Sequence, residues 1–238
     1  MPGASRLAGF LSVLQLSDSG FPSGRYTLSH GLEAFAQTGL FETPTLAATL
    51  AALLGDCIRF GVAPADGVAL ACAHRAVALD GTVDVELVVA ADRRLSAVKL
   101  AREAREASTR SGRALLAAAP AVAGVSMGGY RQLIDDGNAP GNHAVVLGLL
   151  DALLDVPRLE AVTAELYAFS AGWVAAAMRL GLADHLAAQS VLRRVRPVLV
   201  AAAERAVAGD VAQIASCTPL PDVMSMRHEH AELRLFAS

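Results

Sequence analysis

Seven apolar residues recur at every third or fourth position between residues 159 and 180, and this repeat restricts the fold more than any other feature. They are Leu159, Val162, Leu166, Phe169, Trp173, Ala176 and Leu180. An α-helix makes one turn in about 3.6 residues, so this spacing places all of them on one helix face. We therefore expect a helix after Pro157 that packs into the core through this stripe.

The composition extends this prediction to the whole chain. Apolar residues make up 54% of the sequence, much of it alanine, and aromatic residues only 5%. Alanine has the highest helix propensity, and 238 residues can bury a sizeable core. We predict an all-α fold, a single-domain helical bundle over residues 1–238. Two interaction segments are expected in it, a flexible N-terminal one of about 1–8 and a C-terminal one of about 219–238.

Charge and cysteine content exclude several classes of protein. The net charge is −3 without a long block of one sign, whereas nucleic-acid binding requires a clustered basic surface. The cysteines, Cys57, Cys72 and Cys217, form no CxxC pair, which argues against a disulfide framework or zinc knuckle. The longest uncharged stretch, 114–130, is short and interrupted by Pro and Gly. We expect a cytoplasmic protein that binds neither nucleic acid nor a membrane.

The first half of the chain contains several helix signals. Thr43 as N-cap and Pro44 at the first helical position predict a helix that ends near Gly61. A second helix from Pro64 to about 80 would complete an αα-hairpin. Apolar residues alternate from 83 to 89 as in a strand, but no second strand is available to pair with it, so a helix is predicted there too.

A charged helix is predicted from Arg94 to Ala118. One stripe of it carries Arg102, Glu106, Arg110 and Arg113, at spacings of four, four and three. Such ladders stabilise a helix by about 0.2–0.5 kcal/mol per pair. The ladder is interrupted by the small residues Ser108, Thr109, Ser111 and Gly112. This interruption predicts a close helix crossing or a hydrogen-bonded polar contact.

The stretch 14–35 is rich in Ser, Gly and Asp. It is not a phosphate-binding loop, because no Lys-Ser or Lys-Thr follows its glycines. Asp18, Ser19 and His30 have the side chains of a catalytic triad, and a small Ser/His hydrolase stays open as an alternative. The simpler interpretation is a turn before a helix. Gly31, early in that helix, would let another backbone come close.

A His-Glu-His run near the end of the chain raises the possibility of a metal site. Its spacing is not that of a zinc protease, because Glu232 occupies the position of the second histidine in HExxH. In an extended tail, Cys217, His228 and His230 could hold nickel or zinc loosely. They are weak candidates, and a direct nickel-binding metallochaperone is a second alternative.

Four stretches, spread over nearly the whole chain, are similar to the urease accessory protein family UreF. They are LQLSDSGFPSGRYTLSHGLE, LAREAREASTRSGRALL with the downstream HAVVLGLL, LYAFSAGWVAAAMRLG, and the terminal MSMRHEHAELRLF. The resemblance implies an all-α, cytoplasmic homodimer without enzymatic activity. It implies a nickel-insertion chaperone that joins UreD (also called UreH), recruits the GTPase UreG and docks on apo-urease. GTP hydrolysis then accompanies nickel delivery, and the complex handles nickel, so no cofactor is expected in this chain.

The resemblance also assigns candidate residues. The tail, about Pro219 to Phe236, would become ordered on binding UreD through Met226, Arg227, His228, Glu229, Arg234, Leu235 and Phe236. Further candidates for a partner or dimer surface are Phe21, Pro22, Tyr26, His30, Glu33, Arg102, Glu106, Arg110 and Arg113. An arginine among Arg102, Arg110 and Arg113 could act as an arginine finger on UreG. The chain departs from the family pattern at Arg25-Tyr26, at Leu182 and at His230.

Overall fold

The computed structural model describes residues 2–18, 20–39, 41, 45–125, 127–231 and 234–236. Within these residues the chain has ten helices and no strand, and it is 73% helical, which confirms the all-α prediction. The helices are α1 (Pro2–Ser17), α2 (Leu32–Gln37), α3 (Ala47–Arg75), α4 (Val85–Val98), α5 (Arg102–Ala123), α6 (Gly128–Asp135), α7 (His143–Leu153), α8 (Arg158–Arg179), α9 (His185–Ala208) and α10 (Pro219–His228). Short 3₁₀ turns lie at Arg25–Thr27 and Val211–Gln213.

Helix α3 replaces the predicted αα-hairpin, so that prediction was wrong. Its middle, Ile58–Gly67, is a π-helix that contains Pro64 and joins two α-helical parts. The wider π turns let the helix continue past a proline, which has no N–H to donate. The helix begins at Ala47, and the predicted cap residues Thr43 and Pro44 lie outside the described residues.

The region from 83 to 123 forms two helices. Helix α4 confirms the helical interpretation of the alternating segment, and Asp84 caps it by accepting from the Leu87 N–H. The single charged helix predicted from Arg94 to Ala118 is wrong, because the chain leaves the helical conformation between α4 and α5. There the Arg105 guanidinium donates to the carbonyls of Lys99 (2.6 Å) and Leu100 (2.7 Å), which stabilises the break.

Helix α7 lies at the centre of the bundle, between α3, α5 and α8. Every residue from His143 to Asp151 is buried. At Gly148 a Cβ would collide with the Leu70 carbonyl of α3, so only glycine allows this crossing. At Gly112 a Cβ would collide with the Gly141 carbonyl, which confirms the predicted close contact at the small residues of α5.

A buried carboxylate, Asp92 of α4, holds the loop that leads into α7. It accepts from the Tyr130 hydroxyl (2.7 Å), from the backbone N–H groups of Gly141 (2.7 Å) and Asn142 (2.9 Å), and from the Asn142 amide (2.7 Å). Burial, and then the Asp92 charge, raises the pKa of Tyr130, so its hydroxyl stays protonated and donates. Four donors around one carboxylate satisfy its buried oxygens.

Burial of the apolar stripe predicted for residues 159–180 is confirmed along α8, except at its N-terminal end. Its residues Val162, Leu166, Phe169, Trp173 and Ala176 are buried, and Leu180 packs against the core, whereas Leu159 is 45% exposed. By length and composition, α3 and α8 could cross a membrane. This is weak evidence, because core helices of this length have the same composition and both pack against α7 and α9.

Candidate interaction site

The segment before α10 is held by backbone hydrogen bonds to the π-helix of α3. In an α-helix the Phe60 carbonyl would accept a hydrogen bond from the N–H of residue 64, but Pro64 has no N–H. The Phe60 carbonyl accepts instead from the Cys217 N–H at 2.8 Å. The Pro64 carbonyl accepts from Ala215 N at 3.1 Å. A Cβ on Gly61 would lie 3.1 Å from the Thr218 side chain. The π-helix therefore positions the start of the tail, which we define as residues 219–236.

Helix α10 of the tail packs on α2 through Gly31, as the sequence predicted for this glycine. Gly31 has φ of +81°, and a Cβ on it would lie 2.7 Å from the Ser225 hydroxyl oxygen and 3.3 Å from the Pro221 carbonyl. A Cβ here would displace the Ser225 side chain and crowd the Pro221 carbonyl. Glycine thus serves both the left-handed backbone and the close approach.

His228, at the end of α10, lies between two carboxylates of the body. Its side chain is 0% exposed, with Nε2 2.8 Å from Glu33 Oε2 of α2 and Nδ1 2.7 Å from Glu103 Oε2 of α5. The other Glu103 oxygen accepts from Arg234 Nη1 at 2.7 Å. Two carboxylates and two basic side chains therefore form a charge cluster, in which Glu33, Glu103 and His228 are buried and Arg234 is 39% exposed.

Glu33 also holds the last described residues of the tail. Its Oε1 accepts from the Leu235 N–H at 2.7 Å, and its Oε2 accepts from the Phe236 N–H at 3.1 Å. The Glu33 residue is only 2% exposed. Because a buried carboxylate needs donors to offset its desolvation, the tail and Glu33 depend on each other.

Glu229 of the tail caps helix α5. Ala101, at the N-cap of α5, has no side chain that could accept. Glu229 Oε1 accepts instead from the N–H groups of Arg102 (2.7 Å) and Glu103 (3.2 Å). Although desolvation raises the pKa of Glu229, these hydrogen bonds and the Arg102 charge lower it overall. A carboxylate at a helix N-terminus is favoured by the helix dipole.

Arg179, at the end of α8, lies between two aromatic rings. Its guanidinium carbon is 4.5 Å from the centre of the Tyr26 ring and 4.3 Å from that of the Phe236 ring. Phe236 is buried, whereas Tyr26 is 58% exposed. Both distances are those of cation–π contacts. These contacts link the N-terminal stretch to the tail.

A cavity of about 180 Å³ lies beneath α10, between α3, α5 and the 3₁₀ turn at Arg25–Thr27. Two ion pairs line it: Arg25 with Glu165 (2.6 and 2.9 Å) and Lys99 with Asp66 (2.8 Å). Arg25, one of the positions that depart from the family pattern, also lies 3.1 Å from His143 Nε2. The lining of the cavity is mostly apolar, and both of its cations already have carboxylate partners.

The two histidines that line this cavity are neutral near pH 7. Burial, and then the Arg25 charge, holds the pKa of His143 well below its usual range and lowers the pKa of His30 to about 3. Burial raises the pKa of Glu165, against the opposing charge of Arg25. The His30 ring packs against the Phe169 ring at a tilt of 54°, with centroids 4.6 Å apart. His30 therefore contributes packing here and no charge.

The candidate partner residues divide by exposure. Exposed side chains are those of Pro22, Tyr26, Arg102, Glu106, Arg110, Arg113, Met226, Arg227, Arg234 and Leu235, whereas those of His30 and Glu229 are half-buried. Buried ones are those of Phe21, Glu33, His228 and Phe236. The expected i,i+4 ladder does not form among the described residues; Arg102 lies 3.6 Å from Glu229 instead of pairing with Glu106. Whether the exposed residues bind a partner stays a prediction.

The two alternatives find little geometric support. Among the described residues, no group of three or more His, Cys, Asp or Glu side chains is arranged to hold a metal ion. His228 is buried, whereas His230 and Cys217 are exposed. For the hydrolase, Ser19 lies outside the described residues, and Asp18 accepts from the Gly20 N–H at 2.6 Å. Both alternatives stay predictions.

Sequence reasoning missed Glu103, Glu165 and Arg179. For Glu103 a signal existed, because it shares a helix face with Ala107 and Ser111, the face predicted to make a close crossing. A charged residue on a buried face indicates an ion pair. Glu165 and Arg179 lie in α8, for which the sequence predicted only an apolar stripe. Their partners, Arg25 and Phe236, are remote in sequence, so no local pattern indicated either contact.

The fold and the site define an all-helical protein whose C-terminal tail is docked on its own N-terminal stretch. The UreF family model matches residues 45–196, from α3 into α9. A urease accessory protein UreF of Trichodesmium erythraeum (strain IMS101) is 34% identical over 232 residues, 96% of each chain. One of Yersinia enterocolitica (serotype O:8 / biotype 1B) is 29% identical over 230 residues, 96% of this chain and 97% of its own. The chain belongs to the UreF family of urease accessory proteins.

Proposed function

We propose that this chain is a cytoplasmic, homodimeric adaptor in urease maturation that has no catalytic activity or cofactor of its own. It would bridge UreD/UreH and the GTPase UreG and support GTP-dependent nickel loading of apo-urease. The chain is similar to proteins named urease accessory protein UreF over nearly their full length, which supports a role in the same process. The single structural observation that carries the proposal is the exposed outer face of α10.

That outer face is apolar and has no partner within the described chain. Leu220, Val223 and Met226, spaced by three residues, are 50%, 49% and 38% exposed. Met224 and His228, on the opposite side, are buried against the body. An apolar helix face left in water is typical of a surface that binds another protein. We assign this outer face to UreD/UreH.

Helix α5 offers a second surface. Arg110 and Arg113 are exposed, and neither has an ion-pair partner among the described residues. Arg102 is less available to a partner protein, because its side chain lies 3.6 Å from the Glu229 carboxylate. We therefore favour Arg110 and Arg113 over Arg102 as the arginines that reach UreG. If one is an arginine finger, its alanine variant abolishes stimulation of UreG turnover and leaves the complex assembled.

Co-purification with UreD and UreG tests the adaptor. The variants Val223→Asp and Met226→Asp place a charge on the outer face of α10, and we expect each to reduce recovery of UreD at least tenfold. Leu79→Asp is the control, because Leu79 is fully exposed in the turn between α3 and α4 and should leave recovery unchanged. Undiminished recovery of UreD with both α10 variants would refute the assignment.

A further inference from the structure

A pocket of about 260 Å³ lies between the π-helix of α3 and the C-terminal end of α9. The two helices cross closely beside it, because a Cβ on Gly67 of α3 would lie only 3.2 Å from the Ala206 Cβ of α9. Ala63, Ala202 and Gly209 are buried in the lining of the pocket. These residues are too short to fill the space between the helices, so the space stays open.

Two arginines, Arg59 of α3 and Arg205 of α9, line the pocket, and no acidic residue lines it. Arg59 lies 3.5 Å from Asp56, but the two side chains are 44% and 61% exposed, so this ion pair is weak. Arg205 is exposed and has no ion-pair partner within the part of the chain that the structure describes. It is not needed to cap α9, because Arg75 already donates to two carbonyls at the end of that helix. Both guanidinium groups are therefore available to an anionic group.

The size and lining of the pocket indicate the kind of molecule that it binds. Pockets that enclose a whole small molecule measure about 300–1,000 Å³. A pocket of about 260 Å³ is better suited to one side chain of a protein. No aromatic side chain lines it, whereas single-stranded nucleic acid binds by stacking on aromatic rings. Its small apolar residues accommodate an apolar side chain, and its arginines match carboxylates, because a planar guanidinium offers paired donors.

We propose that this pocket is a docking site for an acidic segment of a partner protein. An apolar side chain of that segment enters between α3 and α9, and its carboxylates contact Arg59 and Arg205. This site rests on the proposed function, because it adds a third partner surface to the adaptor. None of the lining residues belongs to α5 or to the tail, so the site is separate from the surfaces assigned to UreG and to UreD/UreH. Partners that bind at the same time require separate surfaces.

Charge reversal at the pocket tests the arginines. The assay is co-purification with UreD, UreG and apo-urease at low ionic strength, where surface charges are least screened. We expect Arg59→Glu to reduce recovery of one of these proteins by roughly tenfold or more, because it places a like charge opposite the acidic segment. Arg131→Glu is the matched control, since Arg131 of α6 is 47% exposed and lies 3.7 Å from Asp135, much as Arg59 lies beside Asp56. It should leave recovery unchanged.

A pair of tryptophan substitutions tests the pocket without changing charge. Ala208 lines the pocket and Ala201 does not, and both residues are exposed on α9. Ala208→Trp should fill the pocket and reduce recovery of the same partner by roughly tenfold. Ala201→Trp should leave it unchanged. Circular dichroism of each variant verifies that its helix content is that of the wild-type chain.

Carbodiimide coupling identifies the partner and its chemistry. The variant Arg205→Lys keeps the positive charge and supplies an amine. A carbodiimide joins this amine to a neighbouring carboxyl group as an amide and takes up the water that is released. Mass spectrometry of the coupled complex should find the amide on an Asp or Glu side chain of the partner whose recovery falls in Arg59→Glu.

Several results would overturn the docking site. They are recovery within about twofold of wild type in Arg59→Glu or Ala208→Trp, an equal loss in either control, and coupling that yields no amide to a partner or only one between two copies of this chain. Should a variant lose its helix content, the coupling result alone decides. If the wild-type chain recovers none of the three proteins, the adaptor proposal fails together with the site. If wild type and variants recover them equally, only the site fails.

Discussion

Gly31 lies directly against Ser225, at the point where the start of α2 meets α10. A Cβ on Gly31 would be 2.7 Å from the Ser225 hydroxyl oxygen, closer than real Cβ atoms come to any atom. The same glycine has φ of +81°, a left-handed conformation that other residues adopt at a cost. Gly24, seven residues earlier in the chain, has φ of +74°, but a Cβ on it would have no other atom within 4 Å.

Comparison of the variants Gly31→Ala and Gly24→Ala separates the effect of the steric contact with Ser225 from the effect of backbone strain, because only Gly31 has both. Each substitution adds the left-handed penalty, about 1–2 kcal/mol. Only Gly31→Ala should also displace α10, so that trypsin cleaves after Arg227 at least tenfold faster than in wild type. Cleavage rates measured on the full-length proteins check this. Equal rates for the two variants would show that the Ser225 contact does not hold the tail.

Phe236 should contribute more to docking of the tail than its neighbour Leu235. Phe236 is 6% exposed and its ring lies 4.3 Å from the Arg179 guanidinium, whereas Leu235 is 78% exposed. Burial of the ring and the cation–π contact together predict a loss of roughly 2–4 kcal/mol of docking free energy in Phe236→Ala. Leu235→Ala should change docking little. Hydrogen exchange of α10 in the two variants measures the difference, and similar exchange in both would contradict the prediction.

Asp92 should be essential for the loop before α7. Its four donors come from Tyr130, Gly141 and Asn142, and the substitution Asp92→Asn turns one acceptor oxygen into a donor that faces other donors. We expect the free energy of unfolding to fall by about 2–4 kcal/mol, from the buried unsatisfied groups. Tyr130→Phe removes one donor only and should cost about 1 kcal/mol. Urea unfolding monitored by circular dichroism compares them; a smaller loss in Asp92→Asn than in Tyr130→Phe would refute the role.

Asp151 should make the protein less stable as pH rises. Burial, and then the Glu165 charge, raises the pKa of Asp151 from 3.8 to about 8. The folded chain thus keeps a proton that the unfolded chain releases above about pH 4. The stability from this group is complete below that pH and is lost as pH rises toward about 8, with a slope of about 1.4 kcal/mol per pH unit.

The substitution Asp151→Asn removes the titrating group and should reduce this slope. Urea unfolding at pH 5, 6, 7 and 8 measures the slope in each protein. Asp56→Asn is the control, because the Asp56 side chain is 61% exposed and should leave the slope unchanged. An identical slope in wild type and Asp151→Asn would show that Asp151 is ionised in the folded chain.

The helices could be predicted from sequence because their signals are local. The stripe from Val162 to Ala176 repeats with the helical period, and most of its residues are buried where the period places them. The small residues near Gly112 likewise indicated a close crossing, because a missing side chain permits close approach whatever the partner is.

The errors arose where a remote segment completes the local structure. Gly61 and Pro64 predicted a helix end, but the Phe60 carbonyl finds its donor at Cys217, so the helix continues through a π segment. The sequence offered His228 as a metal ligand or as a partner contact. Its two carboxylates lie 125 and 195 residues away, and no local pattern connects them.

The all-α class and most helix positions follow from local features of the sequence, since helix propensity and apolar period act within a few turns of the chain. Four sequence motifs also indicated the family. The position of the tail on Glu33 and Glu103 and the exposed face of α10 depend on tertiary contacts. The physical reason is that burial and charge pairing depend on which distant residues meet, and contacts between distant residues exist only in the folded chain.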